Sequence, residues 1–272
     1  MFQTVFNPQR LLDVTTGLLR TLWRRRALLV EQVRRDIIDQ HAGQIIGGLW
    51  SIVHPLFLML IYLFVFSVVF GSRIGGTHEL PLDYTSYILS GLAPWLALVQ
   101  ALSKTTSAMT SNSSLIKQVV FPIEVLPVKA AIATLLPLTV MLGVYFAYAL
   151  ISQQLLWTQL LVPVLVVIYL LWAIGLGLIF ASLAVFVRDV RELVQMFASA
   201  GVFILPVIYL PHWVPAVFKP IIYLNPFSYL IWCFQDVLYF GRFEHPVAWL
   251  VAIVGGVMIL ALGARTFAGL KP

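Results

Sequence analysis

Chemistry needs groups that can hold a proton, a metal or a phosphate, and this chain of 272 residues has few of them: five histidines, eleven acidic residues and one cysteine. The histidines are scattered with no HExxH or other ligand spacing, and the acidic residues never form a DxD pair, so neither a zinc site nor a paired-carboxylate centre can be built from sequence neighbours. Cys233, being alone, excludes an internal disulfide or a CxxC metal site and reads as a small apolar filler. No GxxxxGK[ST] loop and no Gly-Lys pair occurs, so the backbone cradle that holds nucleotide phosphates is missing. No catalytic, cofactor or metal residue is expected in this chain, and it is not expected to hydrolyse ATP.

The remaining candidates bind or pack rather than react. Tyr62, Phe66 and Phe70 recur at i, i+4, and Trp50, Phe57 and Phe64 at i, i+7, giving two aromatic stripes on one helix; Phe197, Phe203 and Tyr209 follow in a later apolar run. Such stripes serve either as packing or as stacking platforms, and a phenol can both stack and donate a hydrogen bond. His54 is the one ionisable side chain well inside a firm apolar run. It reads as a proton relay or as a neutral histidine bonded to a neighbouring helix, while Pro55 kinks that helix and frees a carbonyl.

What must position these residues follows from composition. The chain is 61% hydrophobic and 10% charged, against about 25% charged in soluble domains. Its apolar residues gather into runs near the 20 residues or so that a helix needs to cross about 30 Å of hydrocarbon. Six spans are expected, at 48–70, 84–102, 130–151, 160–187, 193–210 and 247–267. A seventh stretch, 220–240, is broken by Asn225 and Pro226 and carries Asp236, which is expensive at mid-bilayer; it reads as a re-entrant or interfacial helical pair rather than a full span. The expected fold is therefore all-α integral membrane, a single domain over 1–272, with six transmembrane helices, an amphipathic segment over 1–46 and short re-entrant or interfacial helices between spans five and six. No signal peptide precedes the first span, so the N-terminus is expected to be mature protein. No internal repeat marks a secondary carrier.

Orientation follows from the basic residues, which short loops retain on the cytoplasmic side. With the N-terminus inside, the inner segments hold Arg10, Arg20, Arg24, Arg25, Arg26, Arg34, Arg35, Lys104, Lys117, Lys129, Arg188, Arg191, Arg265 and Lys271, and the outer ones only Arg73, Lys219 and Arg242. Both termini are expected in the cytoplasm, and the net charge of +6 needs no nucleic-acid partner. Leu18, Leu19, Leu22, Trp23, Leu28, Leu29 and Val33 recur at helical spacing among arginines, the pattern of a helix lying in the membrane interface; it serves as a topology anchor, a gate or a docking surface. Between spans two and three, Asn112 to Ser114 could cap a short helix whose Leu115, Ile116, Val119 and Val120 share one face. That helix is either an interfacial connector or a knob for a soluble partner.

Four stretches together resemble the permease subunits of bacterial ABC-2 type transporters, especially exporters of O-antigen, capsule and teichoic-acid polysaccharides: Gly48-Leu49-Trp50 with Pro55; Asn112 through Pro127 with its Leu-Ile, Phe-Pro and Leu-Pro pairs; Phe186-Val187-Arg188-Asp189; and Leu224-Asn225-Pro226. Where such permeases often carry a Tyr-Arg-type stretch before the first span, Asp39, Gln40 and His41 stand here. The resemblance implies a homodimer in the bacterial inner membrane with two ABC ATPase subunits that hold ATP and magnesium, exporting a lipid-linked polysaccharide. Drugs or lipids are the alternative cargo, and a scaffold or enzyme of polysaccharide assembly the alternative class. It further implies that Leu115, Ile116, Lys117, Val119, Val120 and Phe121 touch the ATPase, with Arg188 and Asp189 as a second contact or as a local ion pair. By the same resemblance the pore lies between the first and fifth spans, where Trp50, Tyr62, Phe66, Phe70, Phe197, Phe203 and Tyr209 would meet the glycan, and Asn225 and Pro226 belong to a periplasmic gate segment, 211–246, of short gate helices.

Overall fold

The computed structural model describes residues 8–39, 45, 47–69, 82–113 and 122–270, and every regular element in them is helical. Two helices lead, α1 (Pro8–Arg24) and α2 (Arg26–Asp39). Then come α3 (Trp50–Leu63), which continues as a π-helical turn over Phe64–Val69, and α4 (Tyr84–Ser111). A short break at Thr134 separates α5 (Val125–Ala133) from α6 (Leu135–Ile151), and α7 covers Val162–Phe186. The chain ends on α8 (Asp189–Ile204), the short α9 (Lys219–Tyr223), α10 (Pro226–Gln235) with a π-helical extension over Asp236–Phe240, and α11 (Pro246–Leu270). Five described stretches are long and apolar enough to cross a bilayer: Gly47–Phe66, Tyr84–Ser111, Val125–Ile151, Trp157–Phe186 and Pro246–Leu270.

The ends of the bundle are distinct. At the proximal end Leu18 of α1 packs with Val128, Leu178, Ala264 and Phe267, and Lys129 pairs with Asp36 of α2 at 3.2 Å. At the distal end Tyr148 donates to Asp83 (2.6 Å), Thr158 to the Val237 carbonyl (2.7 Å) and Tyr239 to the Leu82 carbonyl (3.0 Å). The second span outruns its expected limit at 102, and the hydroxyls that follow bond back to their own helix: Thr105 to the Ala101 carbonyl at 2.7 Å and Thr106 to that of Leu102 at 2.6 Å. Such bonds do not themselves favour helix; they satisfy the hydroxyls of Thr105 and Thr106, which the bundle buries.

Two helices are joined backbone to backbone. α7 and α11 run parallel, with Trp172 donating to the Ala252 carbonyl at 2.8 Å, and one turn further a Cβ on Gly263 would lie 2.3 Å from the Gly175 carbonyl oxygen. Between apolar helices in lipid, close approach of this kind supplies the van der Waals contact that water would otherwise drive.

The fifth expected span, 193–210, is helical only as far as Ile204. Proline disfavours helical dihedrals in the residue before it, and Leu205, preceding Pro206, is extended at φ −92, ψ 155. The chain nevertheless runs the length of α4: Arg191 near the start of α8 bonds Thr110 at one end of α4, and Tyr84 at the other end donates to the Ile208 carbonyl at 2.5 Å. Non-helical backbone at membrane depth survives only where its polar groups are satisfied inside the protein. Here Tyr87 donates to the carbonyls of Pro206 (3.1 Å) and Tyr209 (2.9 Å), and Gln235 to that of Pro206 (2.8 Å).

The segment that follows is a hairpin dipping into the bundle. Trp213 lies against Tyr84 at the distal end (6.3 Å between rings), whereas Phe227 at the start of α10 lies against Trp95 (6.3 Å) and Trp172 (5.7 Å). Trp95 stands eleven residues into α4, about 16 Å below its distal end. α10 then climbs until Tyr239 meets Tyr87 again (5.2 Å). The Leu-Asn-Pro stretch, external by resemblance, thus sits at a tip near mid-depth: the Asn225 side chain accepts from Phe227 N at 3.1 Å and Pro226 takes the first helical position, where its missing N–H costs nothing.

Candidate functional site

Burial is uneven among the spans, and that unevenness marks the site. Of the apolar core of each span, 83% is buried for α4 and 11% for the first span. The first span therefore flanks the bundle. Its outer face carries Val53, Phe57, Leu60, Phe64 and Val68, all exposed. Its inner side carries Tyr62 and Phe66, whose rings stack at 6.2 Å with planes 9° apart, and Phe66 reaches Phe203 of α8 at 6.5 Å, tilted by 59°. Tyr62, Phe66 and Phe203 thus form a ladder from α3 to α8 across the flank of α4, with Phe203 exposed.

The open face of α8 differs chemically from an ordinary lipid face. Glu192, Gln195, Met196, Ser199 and Phe203 are exposed on it, recurring at helical spacing. The exposed face of α11 is Val247, Leu250, Ile253, Val254, Val257 and Met258, apolar throughout as lipid contact requires. This face thus carries a carboxylate, an amide and a hydroxyl on the proximal side of the aromatic ladder.

The other expected site residues are placed as follows. Phe197 turns away from the ladder into an aromatic cluster with Trp95 (5.7 Å) and Phe227 (5.2 Å). Tyr209 is half-buried and its hydroxyl closes the end of α8 on the Ile204 carbonyl at 2.8 Å. Trp50 lies near the proximal end, lining a cavity with His54 and Lys104. Arg188 and Asp189 are exposed at the start of α8, where Asp189 suits the positive end of the helix dipole. Phe70, Leu115, Ile116, Lys117, Val119, Val120 and Phe121 lie outside the described residues.

Two functional features escaped the sequence reading. Arg191, counted there only as an inner charge, donates to Thr110 and so ties α8 to the turn of α4 that leads into 114–121. The second is the anchor of the hairpin. Asp236, buried in the hairpin's π-helical extension, accepts from the His245 backbone N–H (3.1 Å) and from Trp249 Nε1 (3.0 Å), and its carboxylate lies 2.8 Å from His245 Nδ1. The His245 ring is stacked on Trp232 of α10 at 5.1 Å. The cost that made Asp236 look out of place in a membrane is offset by donors nine and thirteen residues away. Asp236→Leu removes the acceptor of two obligate donors, the His245 backbone N–H and Trp249 Nε1–H, and leaving buried groups unpaired costs about 1–3 kcal/mol. A melting temperature several degrees below the parent in detergent is the expected result; an unchanged melting curve would show that the anchor is not holding the hairpin.

Comparison with known proteins agrees with this architecture. The profile of the ABC-2 type transporter family matches residues 29–239. An O-antigen export system permease protein RfbA of Myxococcus xanthus is 28% identical over 258 residues, 92% of this chain and 95% of that protein. A Klebsiella pneumoniae protein of the same name is 25% identical over 249 residues, 90% of this chain and 92% of its own length.

Proposed function

Since the chain belongs to the ABC-2 type transporter family, we propose that it is the membrane-spanning subunit of an exporter that moves a lipid-linked, O-antigen-like polysaccharide out of the cytoplasm, driven by a separate ATPase. The observation that carries this reading is the end-to-end match to permeases named for O-antigen export, covering nine-tenths of both chains. The aromatic ladder and the polar face of α8 fit that cargo, since sugars offer hydroxyls to Glu192, Gln195 and Ser199 and flat apolar faces to Tyr62, Phe66 and Phe203. A path with one open side needs a second wall, which a second copy of the chain supplies; the complex is a homodimer with two ATPase subunits, and ATP and magnesium belong to those partners.

The proximal end faces the cytoplasm of the inner membrane in this reading, and both termini with it, because Lys104, Lys129, Arg188, Arg191 and Arg265 gather there with the arginines of α1 and α2. The polar tail of α4 then leads into 114–121 on the side where the ATPase docks. The hairpin tip at Asn225 and Pro226 bounds the path from the opposite side, as a gate. Cells lacking this chain should accumulate undecaprenyl-linked glycan on the inner face of the membrane, read by extraction and glycan-specific blotting. Normal surface glycan with altered drug or lipid efflux would assign the cargo otherwise.

A further inference from the structure

The hairpin between α8 and α11 leaves one of its faces uncovered. Ile222 is buried in the core, whereas Val217 and Leu224, each 82% exposed, lie on the descending arm with Phe218 and Ile221, each more than half exposed. That arm starts beside Tyr84 and ends at a tip about 16 Å deeper, half the thickness of the hydrocarbon core. Only Lys219–Tyr223 in it is α-helical. Before that, Pro211–Trp213 and Ala216–Phe218 make single 3-10 turns, and Val214 and Pro215 between them are extended, at ψ 132 and 143.

Depth and chemistry together limit what can cover such a face. Lipid cannot, because irregular backbone carries polar groups that hydrocarbon leaves unpaired, and it survives at membrane depth only inside protein or beside water. Water is a poor cover for Val217, Phe218, Ile221 and Leu224, since a contiguous apolar patch marks a protein contact. None of the four is charged, and Lys219 stands at their side only partly exposed. In a contact about a two-fold axis one patch meets itself, so a charged patch would repel its own copy while this one does not. We propose that this face docks on the same face of a second copy, so that two hairpins meet across the export path and the dry seam between them, around Leu224, is its closed gate. Apolar constrictions that exclude water close other membrane paths, and a hydrated glycan is excluded with the water. The inference rests on the exporter reading and adds the partner that closes the gate: one hairpin bounds the path from one side, and the constriction is incomplete without the other.

The test is disulfide trapping of the full chain in native membranes, with Leu224→Cys, Ile221→Cys and Val217→Cys made singly in a Cys233→Ala background and Val257→Cys, on the lipid face of α11, as control. A disulfide needs Cα atoms within about 7 Å. Oxidation should give a covalent dimer at one or more of the three hairpin positions and none at 257, and trapped cells should stop exporting glycan until a reductant is added. A dimer at none of the three, an equal dimer at 257, or export undiminished by the trap would each overturn the proposal. So would ready labelling of Leu224→Cys by a membrane-impermeant maleimide in ATP-depleted cells, since water would then cover the face. If trapping fails while native mass spectrometry still finds a dimer and the deletion still accumulates glycan, the hairpin contact falls and the exporter reading stands. Trapping at the hairpin in a chain whose deletion spares surface glycan upholds the contact and removes the cargo.

Discussion

An aspartate at Val119 is expected to abolish export while leaving the permease folded and dimeric, with the ATPase lost from the purified complex. By their spacing Leu115, Ile116, Val119 and Val120 are expected to share one face of a short helix, and each aliphatic side chain buried on a partner there would contribute about 1.5–3 kcal/mol. A carboxylate in the middle of that face forfeits its share and adds the cost of burying a charge. The rival reading, a connector resting on lipid, also predicts harm from the charge, but as failure to insert rather than as loss of a partner. A pull-down that still holds the ATPase, with export intact, would sink the docking role. The end of α4 precedes this segment and is tied through Thr110 to Arg191, at the start of the helix that carries Glu192, Ser199 and Phe203.

The second large effect is on folding. Gly263→Leu should leave no monodisperse protein, because even a Cβ at 263 would stand 2.3 Å from the Gly175 carbonyl oxygen, and the obstacle is backbone that cannot rotate aside. Overpacking typically costs about 1–3 kcal/mol where side chains can adjust; here α7 and α11 must separate. The control is Gly143→Ala, where nothing lies within 4 Å of the added Cβ, and the melting temperature should hold. Gly263→Leu eluting and melting like the parent would contradict the close parallel packing of these helices.

The sequence disclosed what composition and local spacing determine. Apolar runs located the spans because hydrocarbon demands them, and Asn225, Pro226 and Asp236 marked 220–240 as something other than a crossing. Hydropathy could not see the break after Ile204, since Leu205 to Leu210 are as apolar as a helix; the partners that make the break affordable, Tyr84, Tyr87 and Gln235, lie more than a hundred residues before it or about thirty after it. Phe197 and Phe203, grouped by residue type, stand about 120° apart on a helix of 3.6 residues per turn, which is why one meets Trp95 and the other the ladder. Arg191 was hidden beside the Arg188-Asp189 pair because its role depends on Thr110, reached only through the fold. The partnership of Tyr62 and Phe66, by contrast, follows from i, i+4 spacing alone.

In the proposed function glycan passes along the face formed by α3 and α8. A photo-crosslinking residue at Phe203, compared with one at Val257 on the apolar face of α11, tests it in cells that are exporting. A slow-migrating adduct that reacts with glycan-specific antibody is expected at 203 and none at 257. Glycan adducts equal at both positions, or absent at 203 while export proceeds, would contradict it.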